Sequence, residues 1–276
     1  MSRLTAGLFF KIRRLLVRAL RYRFNKGRFG IKEALVFCYS VDVWQRYSHV
    51  AKAILGLSDG QSGKRLSVLD VGGGSGEIAH FLVPTEYDCC ILDMSCHHLN
   101  TWKDSRVSYI QGSGTSLPFR DSTFDVVVSV DTLEHISGAQ KATFISELKR
   151  VARRQVVVHA PAKSTDGVFV ADEYDQNLDW WMQRVYHFGD TNTSEHLLSG
   201  VPSVEDLQRA FPGAQPVGTF NAKTWYLVMR LERLPLLNLF TGFLYLALQK
   251  RSSCTAPYYA CLLSWPKTTG SPSSQE

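Results

Sequence analysis

The chain has 276 residues, 45% of them hydrophobic, so it is long enough for one large domain with a sizeable core. Its formal net charge of +6 comes from the amino-terminal end, because residues 1–30 hold nine Lys or Arg and no acid, whereas the rest carries 22 basic and 25 acidic residues. The near-neutral body argues against a broad nucleic-acid-binding surface. The six cysteines lack paired spacing, which excludes a disulfide scaffold and predicts reduced thiols in a cytoplasmic protein. No metal site is expected from them.

The basic amino-terminal segment has the pattern of an amphipathic helix over residues 4–24. Apolar residues such as Leu8 and Ile12 share one face, and basic residues such as Arg14 lie towards the other. Such a helix can bind an anionic membrane surface, so peripheral membrane contact is one prediction. A helix packed on the body, a transit peptide and a nucleic-acid-binding arm are the alternatives.

A helical segment over residues 31–58 leads to the most informative stretch of the chain. An apolar run at 66–71 indicates a buried strand, and Gly72-Gly73-Gly74-Ser75-Gly76 follows it directly. The apolar periodicity of the next residues predicts a helix over 75–83. Glycine lets the turn adopt positive φ and lets a ligand approach the backbone, so strand, turn and helix together indicate a nucleotide-binding α/β unit.

A second strand, predicted over 87–93, ends in Asp93. A carboxylate at this position can accept hydrogen bonds from both ribose hydroxyls of an adenosine, and a helix N-cap or an exposed turn acid is the alternative. Strands alternating with helices along the rest of the chain predict an α/β fold with a doubly wound, mostly parallel, Rossmann-like sheet of seven strands. The further strands are expected at 106–110, 125–130, 155–159, 215–220 and 257–265, with a helix at 139–152.

Four motifs follow one another between residues 60 and 162. They are Asp70-x-Gly72-x-Gly74-x-Gly76, Leu92-Asp93, Leu117-Pro118-Phe119, and the run from Phe124 through Asp131-Thr-Leu-Glu-His135. In their order and spacing they resemble the class I S-adenosylmethionine-dependent methyltransferases, in particular the subgroup that includes small-molecule and quinone methyltransferases. The resemblance implies S-adenosyl-L-methionine as the cofactor.

The same resemblance implies a set of cofactor-binding residues. Asp70 would orient the loop, Gly72, Gly74 and Gly76 would line the methionine and ribose, Asp93 would hold the ribose, and Asp131 would end the fourth strand near the sulfonium. The turn around Ser113 would flank the adenine. Related sequences often carry an aspartate there that accepts from the adenine amino group, so in this chain the Ser113 hydroxyl or the backbone would have to replace it.

Two histidines are candidates for the general base that an oxygen or nitrogen acceptor needs. His159 ends the fifth strand and faces the expected site, and a histidine has a pKa near neutrality. Its alternative role is packing or hydrogen bonding at the strand end. His135 is the second candidate, and its alternative is support of the cofactor loop.

Residues 163–200 are predicted to form a cap over the site, because a long insertion at this point of such a sheet commonly carries function. Trp180, Trp181, Tyr186 and His187 would line an aromatic acceptor wall, or the two tryptophans would anchor the cap in the core. A helix is expected from Val204, N-capped by Ser203.

The carboxy-terminal part contains an apolar run at 234–248. As a helix it would be about 22 Å long, shorter than the ~30 Å hydrocarbon core, so a buried or an interfacial helix is expected there. With residues 4–24 it would form a membrane-facing surface. The domain organisation that follows is a basic helix at 1–30, a methyltransferase domain at 31–266 and a disordered tail at 267–276.

The function expected from these features is methyl transfer to a small-molecule or lipid- or glycan-linked acceptor, at a cytoplasmic membrane surface. Three alternatives remain open: a nicotinamide-dependent oxidoreductase, a non-catalytic module that binds S-adenosylmethionine or a partner, and a nucleic-acid methyltransferase. Against the last, no Asn-Pro-Pro-Tyr or Asp-Pro-Pro-Tyr tetrapeptide follows the fourth strand. The oligomeric state and the acceptor atom are not encoded in any of these patterns.

Overall fold

The computed structural model describes residues 41–55, 57, 65–82, 86–95, 107–187, 189, 191–234 and 255–266. The predicted basic helix at 4–24, the apolar run beyond residue 234 and the tail at 267–276 lie outside these residues. Among the helices that are described, none combines the length and the apolar character needed to cross a membrane.

Seven strands and six α-helices make up the described part of the chain. The strands are β1 (Leu66–Val71), β2 (Tyr87–Asp93), β3 (Val107–Gln111), β4 (Phe124–Val130), β5 (Ala152–Pro161), β6 (Val217–Asn221) and β7 (Tyr258–Pro266). The helices are α1 (Val41–Leu55), α2 (Gly138–Val151), α3 (Ala171–Tyr186), α4 (Thr191–Ser199), α5 (Val204–Ala210) and α6 (Ala222–Arg233). Two 3-10 turns, Glu77–His80 and Leu133–His135, follow β1 and β4 respectively.

All seven strands form one sheet in the order β3-β2-β1-β4-β5-β7-β6. The first five strands in this order are parallel, and β7 pairs antiparallel with both β5 and β6. This is the predicted doubly wound, mostly parallel arrangement. The order reverses between β1 and β4, and in open sheets of this type a ligand binds at the carboxyl ends of the strands beside that switch point.

Both faces of the sheet are covered, as the nearly continuous apolar runs of its central strands require. Side chains alternate between the faces, so Leu69 packs with Phe144 of α2, whereas Val68 on the opposite face packs with Val50 and Ile54 of α1. Every residue of β4 is buried. The helices thus fix the sheet from both sides and leave its carboxyl edge to the loops.

The predicted helix over 75–83 is wrong. Residues Glu77–His80 form one 3-10 turn, which begins after Gly76 in a left-handed conformation with φ of 88° and without a side-chain cap. A helix start of that kind leaves its first N–H groups without an acceptor from the cap residue, which disfavours a longer helix. The other predicted elements among the described residues are present within a few residues of their expected bounds. The helix at Val204 is N-capped by Ser203, whose Oγ accepts from the Asp206 N–H.

The segment predicted to form a cap contains α3 and α4, which we call the cap. The two helices pack on each other, α3 also contacts β7, and α4 contacts the 3-10 turn Leu133–His135. The two adjacent tryptophans of α3 divide the roles that the sequence left open. Trp181 is buried in a cluster with Phe220 and Tyr259, whereas 62% of Trp180 is exposed. The tryptophan pair therefore anchors the cap through one member only.

Candidate active site

The glycine turn after β1 is shaped by positive φ angles and by close neighbours. Gly72 has φ of +77°, and a Cβ on it would lie 2.4 Å from the Thr132 hydroxyl at the end of β4. Gly74 has φ of +54°, and a Cβ there would come no nearer than 3.8 Å to another side chain. The turn therefore packs closely against Thr132 at Gly72 and leaves open space beside Gly74. A ligand could approach the backbone in that space.

Asp93, at the end of β2, holds this turn in place. Its Oδ2 accepts from the Gly74 N–H at 2.9 Å, and its Oδ1 accepts from the Ser95 N–H at 2.8 Å. Both carboxylate oxygens therefore bind backbone N–H groups, one in the glycine turn and one just after β2. The sequence-predicted ribose residue is thus brought directly to the glycine turn.

Asp70, at the end of β1, is fully buried, and neither of its carboxyl oxygens has a hydrogen-bond partner among the described residues. Its carboxyl lies against Gly73, where a Cβ would come within 2.6 Å of it. Burial, with the charges of Glu77 and Asp93, raises the pKa of Asp70 well above its usual range. A buried carboxyl without a partner beside a glycine turn needs a donor from elsewhere, and the ammonium group of a bound amino acid moiety would supply one.

Ser113 uses its hydroxyl within its own turn. Its Oγ accepts from the Thr115 N–H at 3.2 Å and lies 2.8 Å from Thr115 Oγ1. The turn is also tied to β2, because the Gly112 N–H donates to the Asp93 carbonyl at 3.1 Å. With the hydroxyl engaged, the backbone of this turn is the more available group for an adenine.

Asp131 joins three elements at the carboxyl edge. It has φ of 46°, its Oδ2 accepts from Arg46 of α1, and its Oδ1 lies 2.7 Å from Nδ1 of His159. Arg46 also pairs with Asp42 at 2.7 Å. Burial acts to raise the pKa of Asp131, but Arg46 and His159 lower it below its usual range, so the carboxylate is ionised. Its two oxygens are occupied by protein groups.

This arrangement does not favour His159 as the general base. An ionised Asp131 only accepts, so Nδ1–H of His159 donates to it, and Nε2 lies 3.0 Å from the buried Thr219 hydroxyl. Only 3% of His159 is exposed. Both ring nitrogens are therefore engaged away from solvent, and the contacts are those of the alternative role, hydrogen bonding at the strand end. Its partner Asp131 links α1 to the sheet through one carboxylate oxygen and binds His159 through the other.

His135 belongs to a group of side chains that we call the Glu-His cluster: Glu134, His135 and His196. The first two lie on the 3-10 turn after β4, and His196 lies on α4 of the cap. The His135 and His196 rings are 5.1 Å apart, and His196 Nε2 is 3.8 Å from Glu134 Oε1. His135 is about one-third exposed, so it is the more accessible of the two predicted bases.

Carboxylates surround the two histidines of the Glu-His cluster. His135 Nδ1 lies 3.0 Å from Glu195 Oε2, and His196 Nδ1 lies 2.9 Å from Asp175 Oδ2. Burial raises the pKa of Glu134, with help from Asp131, to about 8. Burial alone would lower the pKa of His196, but the hydrogen bond to Asp175 and the charge of Glu134 raise it. The cluster lies between the cap and the carboxyl edge of the sheet. Glu134 and His135 belong to the 3-10 turn that begins immediately after Thr132.

The sequence patterns did not identify Arg46, Asp175 or His196 as members of this edge. Arg46 lies on a helix that precedes every motif, and its partner Asp131 is 85 residues away. Asp175 and His196 are 21 residues apart on different helices. The one available signal was an acidic residue and a histidine inside an otherwise uncharacteristic insertion.

Comparison with known proteins matches the middle of the chain to one family model. Residues 69–159 match the family model described as "Methyltransferase domain". A demethylmenaquinone methyltransferase of Renibacterium salmoninarum is 25% identical over 160 residues, which cover 57% of this chain and 59% of that protein. A ubiquinone/menaquinone biosynthesis C-methyltransferase of Xylella fastidiosa is 32% identical over 121 residues, which cover 40% of this chain and 44% of that protein.

Among solved structures, a putative methyltransferase from an antibiotic biosynthesis pathway of Anabaena variabilis has a TM-score of 0.53 and 13% sequence identity. The match covers 79% of this chain and 98% of that one, and it supports the fold. The family match and the sheet order together support a class I S-adenosylmethionine-dependent methyltransferase domain around residues 69–159. The matched segments span less than two thirds of the two curated relatives.

Proposed function

We propose that the chain is an S-adenosylmethionine-dependent methyltransferase that acts on a small-molecule acceptor under the cap formed by α3 and α4. The observation that carries the proposal is the cradle at the switch point. It combines an open glycine turn, the Asp93 carboxylate bound to that turn, and the buried Asp70 carboxyl without a partner among the described residues. These groups match the amino acid and ribose parts of the cofactor in charge and in hydrogen bonding.

In this proposal the chain binds and aligns, and the bound cofactor supplies an activated methyl group for in-line displacement. Asp93 would accept from the ribose hydroxyls, Asp70 from the ammonium group, and the backbone at Ser113 would meet the adenine. Gly72, Gly74 and Gly76 would allow the close approach. Of the predicted bases, His135 has the exposure that an acceptor requires.

The acceptor class is supported by the relatives, two of which are named for quinones. A demethylated quinone precursor is therefore the first acceptor to test. A lipid-linked acceptor and peripheral contact through residues 4–24 and 234–248 belong to the same proposal. They are supported by the basic amphipathic pattern and by the exposed Trp180 and Leu198 of the cap, of which 62% and 87% are accessible.

Calorimetric titration with S-adenosylmethionine tests the cofactor assignment. We expect the wild type to bind, and Asp93→Ala to bind at least about tenfold more weakly, a loss of ~1.4 kcal/mol. Asp88→Ala is the matched control, because Asp88 lies on the same strand, is exposed and pairs only with the surface residue Arg65 in the described contacts. Equal losses in both variants, or no binding by folded wild type, would contradict the proposal, and binding of a nicotinamide cofactor instead would favour the oxidoreductase.

A further inference from the structure

The Glu-His cluster contains a buried carboxyl group that has no hydrogen-bond partner among the described residues. Glu134 is fully buried, and neither of its carboxylate oxygens meets another described residue at hydrogen-bond distance. A carboxylate removed from water without partners costs several kcal/mol and is kept in proteins only when a cation or a proton compensates it. The nearby histidines offer two nitrogen ligands next to these oxygens.

The donor atoms of the cluster lie close together. Glu134, His135 and His196 each offer one ligand atom, and these three atoms all lie within 4.8 Å of one another. Ligands bound at about 2.1 Å in a tetrahedral shell lie about 3.4 Å apart, so side-chain adjustments of about an ångström would bring all three onto one ion. Two of the three lie on one 3-10 turn, which makes that part of the site rigid.

Both histidines have a carboxylate at Nδ1, an arrangement that is common around metal-binding histidines. Nδ1 of His196 is held by Asp175, whose second oxygen accepts from the Tyr259 hydroxyl at 2.7 Å, and Nδ1 of His135 is held by Glu195. A carboxylate on Nδ1 fixes the tautomer with its lone pair on Nε2 and raises the basicity of that nitrogen. This outer layer is complete around His196, since Asp175 and Tyr259 are both buried.

From these contacts we propose that Glu134, His135 and His196 bind a divalent first-row transition-metal ion between the cap and the sheet. Two imidazoles with one carboxylate favour Zn²⁺, Co²⁺ or Fe²⁺ over Mg²⁺ and Ca²⁺, which prefer oxygen ligands. Three protein ligands leave at least one coordination position open for water or for a ligand oxygen.

The site adjoins the proposed methyl-transfer centre, because Thr132, which touches Gly72, directly precedes the 3-10 turn that carries two of the ligands. An acceptor with a hydroxyl group could occupy the open position, where the ion would lower the pKa of that hydroxyl. His135 would then act as a metal ligand and not as the general base. This role for the ion rests on the proposed function, whereas binding of the ion itself does not. The sequence predicts no metal site, because His196 is far from the other two ligands along the chain.

Metal binding is tested on the full-length, tag-free chain freed of metal by chelation. Zn²⁺ is titrated by calorimetry, and Co²⁺ is titrated by its visible ligand-field absorption. We expect one equivalent per chain, with nitrogen- and oxygen-type bands that lack thiolate charge transfer. His196→Gln and Glu134→Gln should each weaken binding by at least about a hundredfold, and Asp175→Asn by about 10- to 100-fold.

His187→Gln is the matched control, since His187 ends α3 outside the cluster and is exposed. It should bind the ion as the wild type does. S-adenosylmethionine affinity, measured in parallel, separates folding defects from ligand loss, and it separates this proposal from the proposed function. No binding by the wild type, or unchanged binding in both ligand variants, would overturn the site, whether or not the cofactor binds.

Discussion

At the scale of single residues, Gly72 is where backbone conformation and close contact coincide. Its φ of +77° disfavours any side chain, and the Cβ of an alanine would overlap the Thr132 side chain. We expect Gly72→Ala to lower the free energy of unfolding by more than about 2 kcal/mol, measured by urea denaturation, and to reduce S-adenosylmethionine binding.

Gly167 provides the control for conformation alone. It has φ of +72°, and a Cβ there would meet nothing within 4 Å. Gly167→Ala should therefore cost only about 1 kcal/mol and leave cofactor binding unchanged. If both alanine variants lost the same free energy of unfolding, the contact with Thr132 would make no contribution to stability. That result would contradict the close packing of Gly72 against Thr132.

What could be predicted about the site depends on how far apart its partners are in sequence. Asp93 and the glycine turn follow the ends of two neighbouring parallel strands, so their meeting follows from topology. The contacts of His159 do not follow from any local pattern, because Arg46, Asp131 and Thr219 come from three distant segments. A histidine at a strand end is typical of a base and of a buried hydrogen-bonding residue alike, and only the contacts separate them.

At the scale of elements, helix α2 fastens the loop that carries the Leu-Pro-Phe motif. Glu147 accepts from the Leu117 N–H at 2.7 Å, and Arg150 donates to the Phe119 carbonyl at 2.8 Å and to the Leu117 carbonyl at 3.0 Å. Arg150 also pairs with Glu147 itself. The motif is therefore held by side chains of a helix that begins some twenty residues later.

Arg150→Met should loosen this loop without unfolding the domain. Since Arg150 bonds both the loop carbonyls and Glu147, the amide of Leu117 should exchange with deuterium at least about tenfold faster, measured by native-state hydrogen exchange. Arg209→Met is the matched control, because Arg209 on α5 forms an exposed i,i+3 pair with Asp206. Unchanged exchange at Leu117 in the first variant would mean that Glu147 alone holds the loop.

The elements themselves were largely predictable because the central strands are uninterrupted apolar runs with few alternatives. The helix expected at 75–83 is absent. The apolar periodicity is present in the sequence, but Gly76 adopts a left-handed conformation and provides no side-chain cap for a helix start. The pairing of α3 with α4 through Asp175 and His196 was not expected. Contacts between elements are set by packing, which a single sequence does not display.

At the scale of the whole molecule, Asp125 joins three neighbouring strands near their amino ends. Its Oδ2 accepts from the Ser67 N–H and hydroxyl at 3.0 and 2.9 Å, and its Oδ1 accepts from Arg153 at 2.8 Å. Burial acts to raise the pKa of Asp125, but these hydrogen bonds from Ser67 and Arg153 lower it overall. The folded state therefore favours the ionised carboxylate.

A lowered pKa in the folded state gives stability that is present above the unfolded pKa of about 3.9 and is lost as the pH falls below it. We expect Asp125→Asn to destabilise the protein at pH 7, and the difference from wild type in the free energy of unfolding to shrink towards pH 3. Urea denaturation across this range measures it. Asp121→Asn, at an exposed ion pair with Arg150, is the control and should show little change at any pH. A constant difference for Asp125→Asn would contradict the assignment.

The reversal of strand order between β1 and β4 divides the carboxyl edge into two halves, which are formed by different segments of the chain. The glycine turn, Asp93 and the Ser113 turn all come from the first half, before residue 124, whereas the Glu-His cluster and the cap come from later segments. One contact between the two halves lies where Thr132 packs against Gly72. Replacement of the later segments alone would therefore change the proposed acceptor site and leave the proposed cofactor cradle intact.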